Sequence, residues 1–392
     1  MSFHTLVSLM ISLVLLQGCQ STQSVQMKVA DNIYLDDKFP LTQRIETMDE
    51  IFYVSPQMRE YVITRLNGLP SVKAKSERLI QDLFSKEQLN IHYVHNANFS
   101  ASETFDKGLA NCMSLTMLAY VLVNEADLHA EFLDIEVEEN WNVYSNMTLL
   151  NGHVNLKVSS KEPRMNNLLM ELSKRSYTID FLPMLNTKII SKKTLTKQQI
   201  VALYYNNKGA DALEIGNINL AYQYFKSATV LAPNTIAPWS NLASLYRQQG
   251  FLSQAENIYI NALHSDPDNL NLKENLAILY RVTERVEAAD KLTAEVHAKR
   301  QQNPYYFAML AEEELRHDNA HEAVKLFKKA IKLNSQEHLF FFGIAKASLL
   351  LKNYQDVEYY LQKAKILSEQ PQDQQKYQNK ISALATITAS IN

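Results

Sequence analysis

The stretch APWSNLASLYRQQGFLSQAENIYINALHSDPDN, residues 237–269, decides the fold of the second half of this chain. It places small and large apolar residues at helical spacing, and its pattern recurs every 34 residues. Three series of small residues share that period: Gly209, Ala243, Ala277, Ala311, Ala345; Ala221, Ala255, Ala289, Ala323, Val357; and Ala228, Ala262, Val296, Ala330, Ala364. A bulkier series is Phe225, Tyr259, Thr293, Phe327, Leu361. Five ungapped units at about 202–371 therefore predict pairs of antiparallel helices, in which small residues allow close approach and large ones fill the gap to the next unit.

This pattern resembles the tetratricopeptide repeat. The residues at its consensus positions are Trp239, Leu242, Ala243, Tyr246, Ala255, Tyr259, Ala262 and Pro267. Later units depart from it, since Lys273 replaces the aromatic residue and Thr293 the large one. The resemblance implies an all-α solenoid that binds protein or peptide partners. Residues 372–392 are predicted to form a C-terminal capping helix.

Three asparagines, Asn207, Asn241 and Asn275, share the 34-residue spacing on the first helix of units one to three. That helix face lines the concave groove in the family. Because an amide both donates and accepts, such a ladder could bind the backbone of an extended peptide. The alternative is that asparagine is merely tolerated on a solvated face.

The first half shows helix signals and then strand signals. Ser55-Pro56 and Ser71 predict the starts of two helices, the second carrying an apolar face of Leu79, Leu83 and Phe84. A third helix follows Cys112 and buries Leu115, Leu118, Ala119 and Leu122. Period-two patterns at 130–138, 152–160 and 177–183 predict three strands. Helices followed by an antiparallel sheet indicate an α+β domain at 37–190, joined to the repeats by a lysine-rich linker at 186–200.

Cys112 stands at a helix start, where free N–H groups favour a thiolate. His153 and Asp180 follow on the second and third predicted strands. The segments NCMSLTMLAYVLVNEADLHAEFLDIEV (111–137), HVNLKV (153–158) and YTIDF (177–181) resemble the transglutaminase-like superfamily of papain-type cysteine enzymes. In this reading Cys112 is the nucleophile, His153 its base and Asp180 the residue that orients the histidine. Taken singly, each residue also has a purely structural interpretation, such as a small buried thiol.

The N-terminus carries an apolar run, Leu6–Leu16, that is too short to span a bilayer. It ends in Leu16-Gln17-Gly18-Cys19, which resembles the bacterial lipobox. The resemblance implies a signal peptide at 1–18, acylation of Cys19, and a polar tether at 19–36. Gln20 after the cysteine favours, by family analogy, an anchor in the outer membrane that faces the periplasm.

Composition narrows the functional classes. A net charge of −3 without any basic block makes nucleic acid an unexpected partner, and no motif calls for a cofactor. The acidic run Asp134, Glu136, Glu138, Glu139 indicates a solvated strand face rather than a metal site. Two functions remain open. One is a cysteine enzyme that hydrolyses or transfers acyl groups of peptide-like amides through a thioester. The other is a non-catalytic scaffold in which the repeats carry the function.

Overall fold

A computed structural model describes residues 32–41, 43–137, 139, 141–143, 148–150, 154–161, 176–181, 189–369 and 371–391. The predicted signal peptide at 1–18, Cys19, most of the predicted tether and His153 lie outside these described residues. Within those ranges, no helix combines the length and the apolar character that crossing a bilayer requires.

The first half begins with helices. They are α1 (Met48–Ile51), α2 (Pro56–Tyr61, continued by a π-helical turn at Val62–Leu66), α3 (Val72–Phe84), α4 (Ala101–Lys107) and α5 (Cys112–Glu125). The predicted caps are confirmed, because the side chains of Ser55 and Ser71 accept hydrogen bonds from the backbone N–H of Met58 and Ala74. The four apolar residues predicted to be buried on α5 are all fully buried.

The prediction for the apolar face of α3 is wrong at one residue. Leu79 and Leu83 are buried, but Phe84 is 46% exposed. The buried neighbour is Asp82, whose carboxylate accepts two hydrogen bonds from the Arg65 guanidinium (2.9 and 2.8 Å) and one from the Tyr61 hydroxyl (3.2 Å). A carboxylate can be buried there because three donors replace its water.

The main sheet within the described residues has four antiparallel strands, β3 (Leu128–Val137), β6 (Val154–Ser160), β7 (Tyr177–Ile179) and β8 (Ile189–Leu195). Their order across the sheet is β7-β6-β3-β8. Two short pairs are formed by β1 (His92–Tyr93) with β2 (Leu109–Ala110) and by β4 (Trp141–Val143) with β5 (Thr148–Leu150). The three predicted strands are present, and α5 packs on this sheet. The predicted linker at 186–200 is wrong over 189–195, because those residues are the edge strand β8. Its lysines suit an edge, which needs charge more than alternating apolar residues.

Residues 197–367 form five consecutive helix pairs, as the 34-residue period predicts. The helices are α6 (Lys197–Glu214) and α7 (Ile218–Leu231), α8 (Ile236–Gln248) and α9 (Leu252–Ser265), α10 (Leu270–Val282) and α11 (Val286–Arg300), α12 (Pro304–Arg316) and α13 (Ala320–Leu333), α14 (His338–Leu350) and α15 (Tyr354–Leu367). The predicted cap is α16 (Pro371–Ile391). All three series of small residues are buried. In the bulky series only Thr293 is exposed.

Residues 32–41 and 43–47, here called the N-terminal strap, lie against the first two helix pairs. Ile33 and Phe39 are buried, and the backbone carbonyl of Ile33 accepts a hydrogen bond from the Tyr246 hydroxyl (2.7 Å). Asp36 pairs with Lys226 (2.6 Å). Residues 33–36 of the predicted tether are therefore packed on the repeats, because their apolar and acidic side chains find partners on α7 and α8.

Candidate functional site

The repeats expose one side of the first helix of each pair, here called the first-helix face. On α10 it carries Asn271, Glu274, Asn275, Ile278 and Val282, at spacings of three, four and seven residues. Leu272, Leu276 and Leu279 point to the opposite, buried side. The counterparts of the exposed residues on α12 and α14 lie 34 and 68 residues further along the chain.

Large aliphatic side chains are exposed on this face in pairs three and five. They are Ile278, Val282, Leu339, Leu349 and Leu350, with exposed fractions of 39–56%. Beside them, Phe342 has the ammonium groups of Lys346, Lys376 and Lys380 within 5.2–5.6 Å of its ring centroid. The fifth pair and α16 together therefore combine apolar surface with the positive charge of Lys376 and Lys380, whereas Lys346 pairs with Glu312.

The asparagine ladder connects neighbouring pairs. Asn241 donates from Nδ2 to Oδ1 of Asn206 (2.8 Å), and Asn275 donates from Nδ2 to Oγ of Ser240 (3.2 Å). Asn241 thus contacts the residue just before Asn207, and Asn275 contacts the residue just before Asn241. Asn207, Asn241 and Asn275 are all half-buried. The amide nitrogens of Asn241 and Asn275 hold adjacent first helices in register, which gives these two residues a structural role. The contact of the ladder with peptide stays a prediction.

The junction between pairs three and four is polar. Because Thr293 replaces the large residue, the apolar cluster that contains Leu279 stops before this junction, and a separate cluster begins at Tyr305. Arg300 fills the gap with a side chain that is 1% exposed and pairs with Glu139 (2.6 Å) and Glu274 (2.7 Å). Burial by itself lowers the pKa of Arg300, but the hydrogen bonds and charges of both glutamates outweigh it and raise that pKa.

Cys112 lies at the first position of α5, as predicted, behind its cap Asn111, whose side chain accepts from the N–H of Ser114 (2.9 Å). Burial raises the pKa of the thiol, and the backbone N–H groups of Met113 and Cys112 offset this only in part. This direction is opposite to the lowered pKa expected for a thiolate at a helix start, because the burial cost of the charged form exceeds the helix-end stabilisation.

The start of α5 is tied to strand β6. The hydroxyl of Thr116 lies 2.8 Å from the carbonyl oxygen of Cys112 and 3.2 Å from that of Val154, the residue that follows His153. Asp180 follows β7 and accepts a hydrogen bond from Nδ2 of Asn155 (3.2 Å). Cys112 and the beginning of β6 are thus adjacent, and Asp180 lies across from Asn155. His153 itself lies outside the described residues, so its pairing with Cys112 stays a prediction.

The cap of α5 is also linked to the repeats. Asn111 donates to Oδ1 of Asn98 (2.5 Å), and Asn98 donates to Oδ2 of Asp211 on α6 (2.6 Å). Burial raises the pKa of Asp211, although the Asn98 hydrogen bond and the charge of Lys208 lower it in part. The helix that carries Cys112 is therefore linked to the first pair of the array through Asn98.

A cleft of about 420 Å³ lies between the N-terminal strap, α4 and the first helix pair. Its charged groups already pair with one another, since Glu46 accepts from Tyr224 (2.8 Å) and lies 3.2 Å from Lys208. These contacts attach the strap to the array, and we assign the cleft a structural role.

Comparisons with known proteins identify the repeats. Residues 248–313 and 308–373 each match a family model described as tetratricopeptide repeat. A curated relative, an uncharacterized protein ycf37 of Cyanophora paradoxa, is 34% identical over 92 residues, which are 24% of this chain and 53% of the relative. The protein O-mannosyl-transferase TMTC1 of Mus musculus is 29% identical over 89 residues, 23% of this chain and 9% of the relative. The chain thus spans about half of one relative and about a tenth of the other.

Among solved structures, one from a functional characterization of pilF of Pseudomonas aeruginosa covers 50% of this chain and 94% of its own, at 16% identity and a TM-score of 0.28. At that score the two chains need not share an overall arrangement. The two family-model matches show that the chain contains tetratricopeptide repeats, and both matches lie within the second half.

Sequence reasoning missed Arg300 and Glu139 as a pair. Glu139 was assigned to a solvated acidic run, whereas it contacts a buried guanidinium 161 residues away in the chain. Two signals for this junction were present in the sequence, namely the departures from the repeat pattern at Lys273 and Thr293 in the third unit.

Proposed function

We propose that this chain is a polypeptide-binding protein whose partners bind along the first-helix face of the repeats. The supporting observation is the group of three leucines on α14, namely Leu339, Leu349 and Leu350, each about half exposed beside the lysines around Phe342. Aliphatic surface of this kind, bordered by charge, is typical of a binding surface. The oxygens of the asparagine ladder, Asn207, Asn241 and Asn275, would add contacts to the partner's backbone.

The test uses the full chain on an array of synthetic peptides. In a Leu349→Ser/Leu350→Ser variant we expect the affinity for the selected peptides to fall about tenfold or more, because burying a leucine on binding stabilises a complex by about 1.5–3 kcal/mol. Folding should change little, since both side chains are already about half exposed. Ile366→Ser is the matched control, as Ile366 is 74% exposed but lies on the second helix of the same pair. Equal losses in both variants would contradict the proposal.

The ladder has its own variant in the same assay. Asn207→Ala leaves the hydrogen bonds of Asn241 to Asn206 and of Asn275 to Ser240 in place, so it tests peptide binding while both inter-helix contacts remain. We expect a loss of about threefold to tenfold, the value of one hydrogen bond. Unchanged affinity would limit the ladder to its structural role.

We further propose that the chain is a lipoprotein anchored through Cys19 in the outer membrane, with the repeats facing the periplasm. The support is the lipobox-like Leu16-Gln17-Gly18-Cys19 after an apolar run. Several acyl chains would hold the protein firmly at the membrane surface. Radiolabelled fatty acid should be incorporated in a bacterial host. Equal labelling and membrane partitioning of Cys19→Ser would contradict this location.

A second candidate function is cysteine chemistry by a transglutaminase-like Cys112, His153 and Asp180. It is favoured by one observation, the Thr116 hydroxyl that ties the carbonyl of Cys112 to that of Val154, next to His153. The raised pKa of Cys112 favours the non-catalytic reading. The rate of alkylation of Cys112 against pH separates the two. A non-catalytic thiol reacts slowly, at a rate that keeps rising above the ordinary thiol range. An enzyme would show a plateau below that range, and His153→Ala would remove it.

A further inference from the structure

At the junction between the third and fourth helix pairs, the described part of the chain places a segment of the first half against the array at the point where the two pairs contact each other least. The strand β4 packs against α12, and Glu139 stands two residues before β4. No contact of comparable extent joins α11 to α12 within the described residues.

The contacts of Arg300 define a site for a carboxylate. Its Nε and Nη2 donate to the two carboxylate oxygens of Glu139 (2.6 and 2.9 Å), which is the bidentate geometry that a guanidinium prefers. Nη2 also donates to Oδ1 of Asn271 (2.7 Å), and Nη1 donates to Glu274 (2.7 Å). The guanidinium is therefore fixed in orientation by two residues of the first-helix face and presents its remaining edge to Glu139.

The backbone of Glu139 is held as well as its side chain. Nδ2 of Asn303, in the turn before α12, donates to the carbonyl oxygen of Glu139 (2.7 Å). One acidic side chain and its own backbone carbonyl are thus recognised together. Such paired recognition is how a peptide in extended form is bound with both affinity and register.

We infer that Arg300, Asn271 and Asn303 form a subsite for an acidic residue of a polypeptide partner, and that Glu139 occupies this subsite as an internal ligand. The inference rests on the proposed function and names the partner as a peptide that carries a glutamate or aspartate in an extended segment. When Glu139 leaves, Arg300 retains only one of its two carboxylates, so a buried guanidinium favours an incoming acid. An internal ligand competes at an effective concentration in the millimolar range, so it suppresses weak partners.

The experiment uses the full chain and a fluorescent peptide with the sequence of residues 134–143, DIEVEENWNV, added in solution. Glu139→Ala should bind this probe about tenfold or more tightly than wild type, since its internal ligand has lost the bidentate contact. The matched control is Glu131→Ala, which removes an acidic side chain on β3 that pairs with Lys157 of β6. It should bind the probe as wild type does. Equal affinity in Glu139→Ala and wild type would overturn the inference.

A second probe tests the acid directly. The same peptide with glutamine at the position of Glu139 should bind the Glu139→Ala chain at least tenfold more weakly, and unchanged binding would overturn the subsite. In wild type, a saturating concentration of the acidic probe should speed hydrogen exchange of the backbone amides at 141–143, because the internal segment is displaced. Unchanged exchange with the probe bound would place the probe elsewhere and would also overturn it.

The outcomes remain distinct from those of the proposed function. If array-selected peptides depend on Leu349 and Leu350 while Glu139→Ala has no effect, the repeats bind polypeptides and only the acidic subsite is wrong. If binding depends neither on Leu349 and Leu350 nor on Glu139, the proposed function fails as well.

Discussion

Replacing Phe39 by alanine tests whether the N-terminal strap is an integral part of the repeat array. The Phe39 ring is 5% exposed and stacks on Tyr222 at a centroid distance of 4.4 Å. It also contacts Tyr246 (6.0 Å) and Phe251 (5.7 Å). These three rings belong to the first two helix pairs, so the strap covers a surface that the repeats would otherwise expose.

The expected magnitude follows from that burial. Truncating a buried phenylalanine to alanine costs about 3–5 kcal/mol. We expect a value near the lower end, about 3 kcal/mol, because the strap lies at the outside of the array, where neighbouring side chains can close part of the cavity. The ion pair of Asp36 with Lys226 and the hydrogen bond from Tyr246 to Ile33 remain.

The assay is urea unfolding followed by the fluorescence of Trp239, which is 2% exposed and stacks with Tyr34 of the strap at 6.1 Å. A Trp141→Phe background leaves Trp239 as the single indole, since the chain has two tryptophans. In Phe39→Ala, the emission should shift to the red at lower urea than in the background chain. Leu41→Ala is the matched control, because Leu41 is two residues away and 79% exposed. If Phe39→Ala unfolds like Leu41→Ala, the strap does not stabilise the array.

Three further perturbations test other parts of the fold. Gly343→Ala places a Cβ 2.2 Å from the Phe327 ring. Overpacking costs about 1–3 kcal/mol, and replacing a helical glycine by alanine gains about 1 kcal/mol, so we expect net destabilisation in thermal unfolding. Gly68→Ala is the control and should be neutral, because its Cβ meets no atom within 4 Å. Asp82→Asn should cost about 2 kcal/mol in urea unfolding, because the buried Asp82 carboxylate accepts hydrogen bonds from Arg65 and Tyr61 that are stronger to a charged acceptor. Glu77→Gln, which breaks only the exposed Lys73 pair, should cost almost nothing. Similar costs would contradict the role of Asp82. Burial raises the folded-state pKa of Asp211. Its contribution to the free energy of unfolding is therefore favourable below the ordinary aspartate pKa and is lost as pH rises through the raised pKa. Asp211→Asn should remove that part of the pH dependence of the unfolding free energy, and an unchanged pH dependence would refute this role of Asp211.

The repeats could be predicted from sequence because each position in the pattern has one physical task. The small residues at the 34-residue period are buried where two helices approach, and the ring of Phe225 or Phe327 fills the space beside a glycine. The helix caps Ser55 and Ser71 could be predicted from sequence equally well, since each serine accepts a hydrogen bond from the backbone N–H three residues further along the chain. Local rules of this kind need no knowledge of the rest of the chain.

The errors concern contacts between distant segments. Phe84 was predicted to share one helix face with Leu79 and Leu83. Asp82 is buried with them instead, because its carboxylate pairs with the Arg65 guanidinium. The edge strand β8 was read as a linker because its place in the sheet depends on backbone pairing with β3. Glu139 was read as solvated because Arg300 lies 161 residues away. No local pattern encodes such pairings.

The candidate site was foreseen in part. The position of Cys112 at the start of α5 was predicted correctly, but its pKa was not, because burial is a property of the folded surroundings. The asparagine spacing was recognised, whereas the partners of Asn241 and Asn275 on the preceding first helix were not. The sequence shows that Thr293 replaces the large residue of the repeat pattern. In the folded chain this replacement lies beside the polar junction that Arg300 fills.

The central claim is that polypeptides bind to the first-helix face, and photo-cross-linking tests it most directly. A peptide selected on the array, fitted with a photoreactive group, is irradiated with the full chain, and the attached residues are mapped by mass spectrometry. We expect the cross-links to fall on α10, α12 and α14, at and beside Ile278, Leu339, Leu349 and Leu350. Cross-links concentrated on the second helices, or around Cys112 and the start of β6, would contradict the claim.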